Sequence, residues 1–438
     1  MGFRITTNMM MNTYKFNLQN NTQKLANARD MVLTQRNFNS YEEDPAAATR
    51  AFRLRRTYTR TLNQLNNTTD CYSKYNTAWN NLGGVIDKLA NPLDKTSAIL
   101  GANGTAGESR KALAQILRDS ADSLVHSMNQ QLGDQFIFGG KDGLNVPFTW
   151  SEDGRTLLYR GVNVDAGGVE KPASTPPTWL DDAKAAGQAA GTWDDNDEAW
   201  FSYYAGTSEK IPNSDTMPKW AKDMLKQTPN NADESAWMEY YRDRDDVAKL
   251  KTMSEEEMYI DLGMGAKENA PNDPILGSYF NGALSGLNFI GYGTDKTDEF
   301  GDSGNYAILL KELADVFETW DEDVQDYNPE LAKEGSSAFG LTKDELKEKA
   351  FRMLDKLKAG QEKITENWVD LDAQSKFLLT NKERLETQKT NINEEILEVE
   401  QVDLAEAITQ FSWEQYCYNA ALKIGNQLLT QSLIDYMN

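Results

Sequence analysis

The chain has 438 residues, 39% of them hydrophobic and 26% charged, enough for two or three folded domains. Its formal net charge of −23 argues against nucleic acid and anionic membranes as partners, because phosphate binding needs clustered Lys and Arg. One histidine, His126, and two distant cysteines, Cys71 and Cys417, leave no material for a His-rich or CxxC metal site.

The opening MGFRITTNMMMNTYKFNLQ lacks the cationic, apolar and small-residue segments of a cleaved secretory signal. No stretch of 18 apolar residues follows, so no membrane insertion is expected. The protein is expected either to stay in the cytoplasm or to leave by a route that reads no such signal.

Residues 1–40 are predicted to form a first helix. Met11, Leu18, Leu25 and Val32 stand seven apart, with Tyr14 and Ala28 between them and Ile5 ahead. Residues 41–145 are predicted to be a helical rod segment. Its long helix opens at Asp44-Pro45, where Asp is a good N-cap and Pro suits the first turn. Ala51, Tyr58, Leu65, Tyr72, Trp79 and Ile86 then repeat every seven residues as the expected seam. A third helix, over about 107–133, presents Leu113, Leu117, Leu124 and Met128, and both cysteines read as small apolar residues within helices.

Ten of the twelve prolines and seven of the ten tryptophans fall between Pro147 and Trp320 or Pro329. Residues 146–340 therefore read as an insertion, mixed and strand-rich. VPFTW-SEDG-RTLLYRG predicts a hairpin and MYIDLGMG a further strand. PASTPPTW and WDDNDEAW read as loops, and YAILLKELADVFETW as an amphipathic helix.

Residues 341–402 return to a rod. Ile364, Leu371, Leu378, Leu385, Ile392 and Val399 repeat every seven residues, a coiled-coil-like seam. After Val399 the register shifts, and residues 403–438 carry Leu404, Phe411 and Tyr418 with Ile408, Leu422 and Leu429. The stripe continues through Leu433, Ile434 and Tyr436 in LLTQSLIDYMN. We expect the two terminal stripes to pair and to become firmly ordered when neighbouring subunits cover their other faces. An ordinary intramolecular bundle fits the same pattern.

Catalytic signatures are absent. There is no GxxxxGK[ST] or GxSxG, and GGKDG and GYGTD lack the strand–GxGxxG–helix context. DDNDE lacks the central Gly and distal Glu of a calcium loop. No cofactor, metal or catalytic residue is expected, and the chain does not read as an enzyme.

RITTNMMMNTYKFNLQNNTQKLA resembles the opening of the flagellar hook-filament junction proteins, the hook-associated protein 3 family. YEEDPAAATRAFRLRR, QFIFGGKDGLNVPF, VDLAEAITQF and LLTQSLIDYMN resemble successive segments of that family in the same order. The likeness covers about residues 3–150 and 340–438. It implies a mainly α, flagellin-like fold: a long α-helical coiled coil from both termini, with the mixed domain inserted in the middle. The terminal-helix interface it implies comprises Ile5, Met11, Leu18, Leu25, Val32, Leu404, Ile408, Phe411, Leu422, Leu429, Leu433, Ile434 and Tyr436.

By resemblance the protein is a structural part of the bacterial flagellum, outside the cell. It is exported by the flagellar type III apparatus, and it joins hook to filament. The implied partners are hook-associated protein 1, flagellin, further copies in a ring-like zone, and an export chaperone. Two departures stand out. VLTQRNFNSYEED lacks the basic, Gly-containing turn usual between the first helices, and the insertion is unusually long. The alternatives are flagellin itself, and a secreted enzyme on a flagellin-like frame whose activity would lie in 146–340.

Overall fold

A computed structural model describes residues 7–38, 41–101, 107–265, 268–270, 273–274, 278–295 and 300–437, without the side chains at 7–8, 107–109, 268–270, 273–274 and 428–437. Its helices are α1 (Thr7–Thr34), α2 (Pro45–Gly101), α3 (Gly107–Met128), α4 (Trp179–Ala190), α5 (Asp195–Tyr204), α6 (Lys219–Met224), α7 (Ala232–Ser254), α8 (Leu287–Ile290), α9 (Tyr306–Glu318), α10 (Lys343–Glu400) and α11 (Leu404–Met437). The fold is mainly α, with small antiparallel strand pairs in the middle of the chain. It divides into two compact units, Met1–Asn66 with Asn381–Asn438, and Asn67–Thr380.

In the larger unit, α9 is buried on nearly every face: Tyr306, Ala307, Leu310, Leu313, Ala314, Val316 and Phe317 are all enclosed. The sequence reads this helix as amphipathic, but its polar positions are few and paired. Asn305 caps it by accepting from the Ala307 and Ile308 N–H groups. Helix α3 packs along it. Arg118 bridges Asp315 at 2.7 Å and also pairs with Glu318. Leu113, Leu117, Leu124 and Met128 face the core as expected, although α3 stops at Met128 and a short strand follows.

Helix α10 lies against the same core, and Ile364, Leu371 and Leu378 are buried at the predicted heptad spacing. Gly360 allows it to approach α9, since a Cβ there would fall 2.6 Å from Tyr306 Cδ2. Asp302 is buried beside α10, where Arg352 forks onto it at 2.5 and 3.1 Å and Lys356 stands 3.2 Å away.

The α2 seam follows expectation at Ala51 and Leu65 and departs from it by one residue thereafter. The buried stripe runs through Thr68, Cys71, Tyr75, Ala78, Leu82, Val85 and Leu89, while Tyr72, Trp79 and Ile86 pack on its flank. Tyr75 is enclosed in this stripe, whereas Tyr72 and Trp79 lie beside it. Trp79 stacks on Trp368 with centroids 5.6 Å apart, and Trp368 Nε1 donates to Trp79 O.

The middle is more helical than the strand-rich reading. The predicted hairpin is present as Phe148–Trp150 paired with Leu157–Tyr159, extended by Val162–Asn163, and Tyr259–Ile260 pairs with Phe280–Asn281. Residues 179–254, however, carry α4 to α7. WDDNDEAW is a helix start rather than a loop. Asp194 accepts from Asp197 N–H at 2.9 Å, and Asp197 accepts from Asp194 N–H, a capping box that places acid at a helix N-terminus. These helices enclose their own aromatic core of Trp200, Tyr203, Tyr204, Trp237, Tyr240 and Tyr241.

In the smaller unit, Ala51, Thr61 and Leu65 of α2 are buried, as are Leu385 and Ile392 of α10. Arg55 and Glu400 form a two-point ion pair there. Helix α10 ends at Glu400 and α11 begins at Leu404, so the register shift after Val399 marks a real break. Asp403 restarts the helix by accepting from Ala405 N–H at 2.8 Å.

Candidate assembly surface

Helices α1 and α11 pack side by side. They run antiparallel: Val402 N–H donates to Gln35 O, while Tyr14, two-thirds of the helix away, stands over Gly425. A Cβ on Gly425 would come within 1.9 Å of Tyr14 Oη, so glycine is what lets the ring lie against the helix. The inward faces carry Met11, Tyr14, Leu18, Leu25, Ala28 and Val32 on α1, and Ala407, Phe411, Cys417, Tyr418 and Ala421 on α11. Of these, only Ala28 and Ala407 are fully buried, together with Gly425; the rest are half-buried.

Among the described residues no third helix covers this pair, and its outward residues meet solvent. Met9, Met10, Phe16 and Leu33 are exposed on α1, and Leu404, Ile408, Trp413, Tyr416, Leu422 and Ile424 on α11. Trp413 and Tyr416 are 62% and 67% exposed, yet their rings stack with centroids 6.0 Å apart. Scattered apolar side chains at a surface need no explanation, and a concentration of them such as this is a candidate interaction surface.

The predicted interface residues thus fall into three groups. Met11, Leu18, Leu25, Val32 and Phe411 lie half-buried on the inward faces, and Leu404, Ile408 and Leu422 lie exposed on the outward one. Ile5 lies outside the described residues, as do the side chains of Leu429, Leu433, Ile434 and Tyr436. Sequence reasoning missed Trp413, Tyr416 and Ile424, which sit off the heptad, and Gly425. Gly425 did carry a signal, being the only glycine between 361 and 438.

Three ionisable groups of the larger unit are shifted by their surroundings. Burial pushes the Cys71 thiol up to about 11, which leaves it inert. Burial opposes the charge on Asp302, but Arg352 and Lys356 outweigh it and hold the carboxyl below its usual range. Asp165 has no such cation in contact. Desolvation, with Glu312 and Asp243 nearby, pushes it up to about 7 against the weaker pull of Ser303 and Lys349. Among the described residues, no group of three or more His, Cys, Asp or Glu side chains could hold a metal ion. No helix there is long and apolar enough to cross a membrane.

No family model matches the chain, and no curated protein matches it. Among solved structures it is similar to one provisionally described as a flagellar hook-associated protein from Vibrio parahaemolyticus. The identity is 9% and the TM-score 0.43, over 82% of this chain and 99% of that one. At that level the likeness does not establish a shared fold.

Proposed function

We propose that this chain is a structural, non-catalytic subunit of the bacterial flagellum, one that joins hook to filament. The observation that carries the reading is the apolar outward face of the α1/α11 coil, from Phe16 and Leu33 to Trp413, Tyr416, Leu422 and Ile424. A solitary coil of this kind leaves that surface in water, whereas neighbouring copies in a ring-like zone would bury it. The order and spacing of RITTNMMM, YEEDPAAATR, QFIFGGKDG and LLTQSLIDYMN supply the specific assignment by resemblance.

On this reading hook-associated protein 1 packs on one side of the zone and flagellin on the other. The protein reaches the outside through the flagellar type III apparatus, with a chaperone covering the C-terminal stripe beforehand. Its insertion, residues 146–340, faces outward.

Deletion of the chain tests the assignment. Cells without it should keep their hooks and shed their filaments into the medium. Attached, working filaments in such cells would overturn the proposal. Seeded polymerisation separates it from flagellin: the purified chain should fail to elongate, and growth into long filaments would favour the filament subunit instead.

A further inference from the structure

Three helix ends meet in the smaller unit: the C-terminus of α1 at Thr34, the C-terminus of α10 at Glu400 and the N-terminus of α11 at Leu404. Helix ends leave carbonyl and N–H groups without intrahelical partners, and each must be satisfied by something. Here the two crossing segments satisfy each other. Arg36 and Gln401 form an isolated antiparallel bridge. Asn37 N–H donates to Glu400 O at 2.9 Å, and Val402 N–H donates to Gln35 O at 3.3 Å.

One side chain closes the arrangement. Asn37 Nδ2 donates to Val399 O at 3.1 Å and to Gln401 O at 2.9 Å, taking up two carbonyls at the end of α10 with both amide protons. The backbone just before it is bent: Gln35 has φ +56, a left-handed conformation disfavoured for a residue with a side chain. Beside it, Arg55 of α2 forks onto Glu400 and ties the same corner to the second helix pair. An aspartate at position 37 would present carboxylate oxygens to carbonyls, and an apolar residue would present nothing.

We infer that Asn37 is a positioning residue: it latches a two-segment clip that sets the angle at which the α1/α11 coil leaves the α2/α10 pair. Its value to assembly rests on the flagellar reading, because neighbouring copies can complete one another's coils only if every copy projects its coil alike. The clip itself does not depend on that reading. The side chain is exposed, so the clip is a local device that opens without unfolding its surroundings.

Amide exchange in the purified full-length chain, read residue by residue by NMR, tests the clip without any assembly. In Asn37→Ala and Asn37→Asp, the Asn37 and Val402 amides should exchange roughly tenfold faster than in the unaltered chain, as expected for loss of two exposed side-chain hydrogen bonds. Amides along 364–385 should be unchanged. Equal rates at Val402 in all three proteins would overturn the inference, and so would lost protection along 364–385, which would make Asn37 a global rather than a local element. If the clip behaves as expected while deletion of the chain leaves filaments attached, the flagellar reading fails and the latch stands.

Discussion

Tyr14 lies over Gly425, with its hydroxyl where a β-carbon would have to be. This contact decides the sign of an otherwise favourable substitution. Gly→Ala within a helix normally stabilises by about 1 kcal/mol. Gly425→Ala should instead destabilise the terminal coil, because the Tyr14 ring must be displaced. In a Tyr14→Ala background the same change should become stabilising. A double-mutant cycle on the coil's thermal melting, followed by circular dichroism, should return a coupling of about 1 kcal/mol or more; additive effects would place the two residues apart.

Leu422 is 43% exposed, on the outward face of α11. Exposed substitutions typically change stability by no more than about 0.5 kcal/mol. Leu422→Asp should therefore leave the melting of the isolated chain nearly unchanged. In an assembly the same charge would be buried unpaired, at a cost of several kcal/mol. Filament attachment should be lost, and motility assays together with a melt on the purified variant separate the two effects. Normal motility would contradict the proposed surface.

Asp165 gives a pH dependence of definite sign. Its folded pKa, about 7, lies above the unfolded value of 3.8, so the folded chain holds the extra proton between those limits. Stability from this group is full at the acid end and falls as pH rises towards 7, by up to about 1.4 kcal/mol per unit. Glu312 is shifted in the same direction by burial, while Asp302 and Glu318 are shifted down and act in the opposite sense. The clean measurement is a difference. Urea unfolding at pH 5 and pH 7.5 should show the unaltered chain losing more stability, relative to Asp165→Asn, at the higher pH. Parallel curves would mean that Asp165 is solvated.

The Arg352–Asp302 pair predicts a large effect far from the terminal coil. Asp302 is 4% exposed, and Arg352→Met would remove its two-point partner. The loss should be about 3 kcal/mol, reduced to the extent that Lys356 compensates. Chemical denaturation measures it, and a change under about 1 kcal/mol would show that Lys356 alone suffices.

The helical frame was legible because its seams have a period. Ile364 through Ile392 are buried at the spacing read from the sequence, and so are the α3 leucines. On α2 the reading holds at Ala51 and Leu65 and runs one residue off beyond them. The interior takes Thr68, Cys71, Tyr75 and Ala78, and Tyr72 and Trp79 stand at the flank. WDDNDEAW misled as well. An acidic run resembles a solvated loop, yet the same carboxylates cap a helix when their spacing permits.

The candidate surface was only half legible. Heptad spacing identified the inward residues Met11, Leu18, Leu25 and Val32, which need a partner within the chain. Trp413, Tyr416 and Ile424 escaped because exposed side chains owe nothing to the period by which the helix packs within the chain. Asn37 escaped because its two acceptors are backbone carbonyls more than 360 residues away in sequence.

Thiol accessibility in free and assembled protein tests the central claim most directly. Cysteine can be placed on the outward face at Ile408 or Ile424 in a Cys417→Ser background; Cys71 is buried with a raised pKa and should stay silent. The new thiols should react rapidly in the purified chain and roughly a hundredfold more slowly in intact flagella, where on the proposed reading neighbouring subunits would cover them. Equal reactivity in both states would mean that nothing packs on this face, and the account would fail.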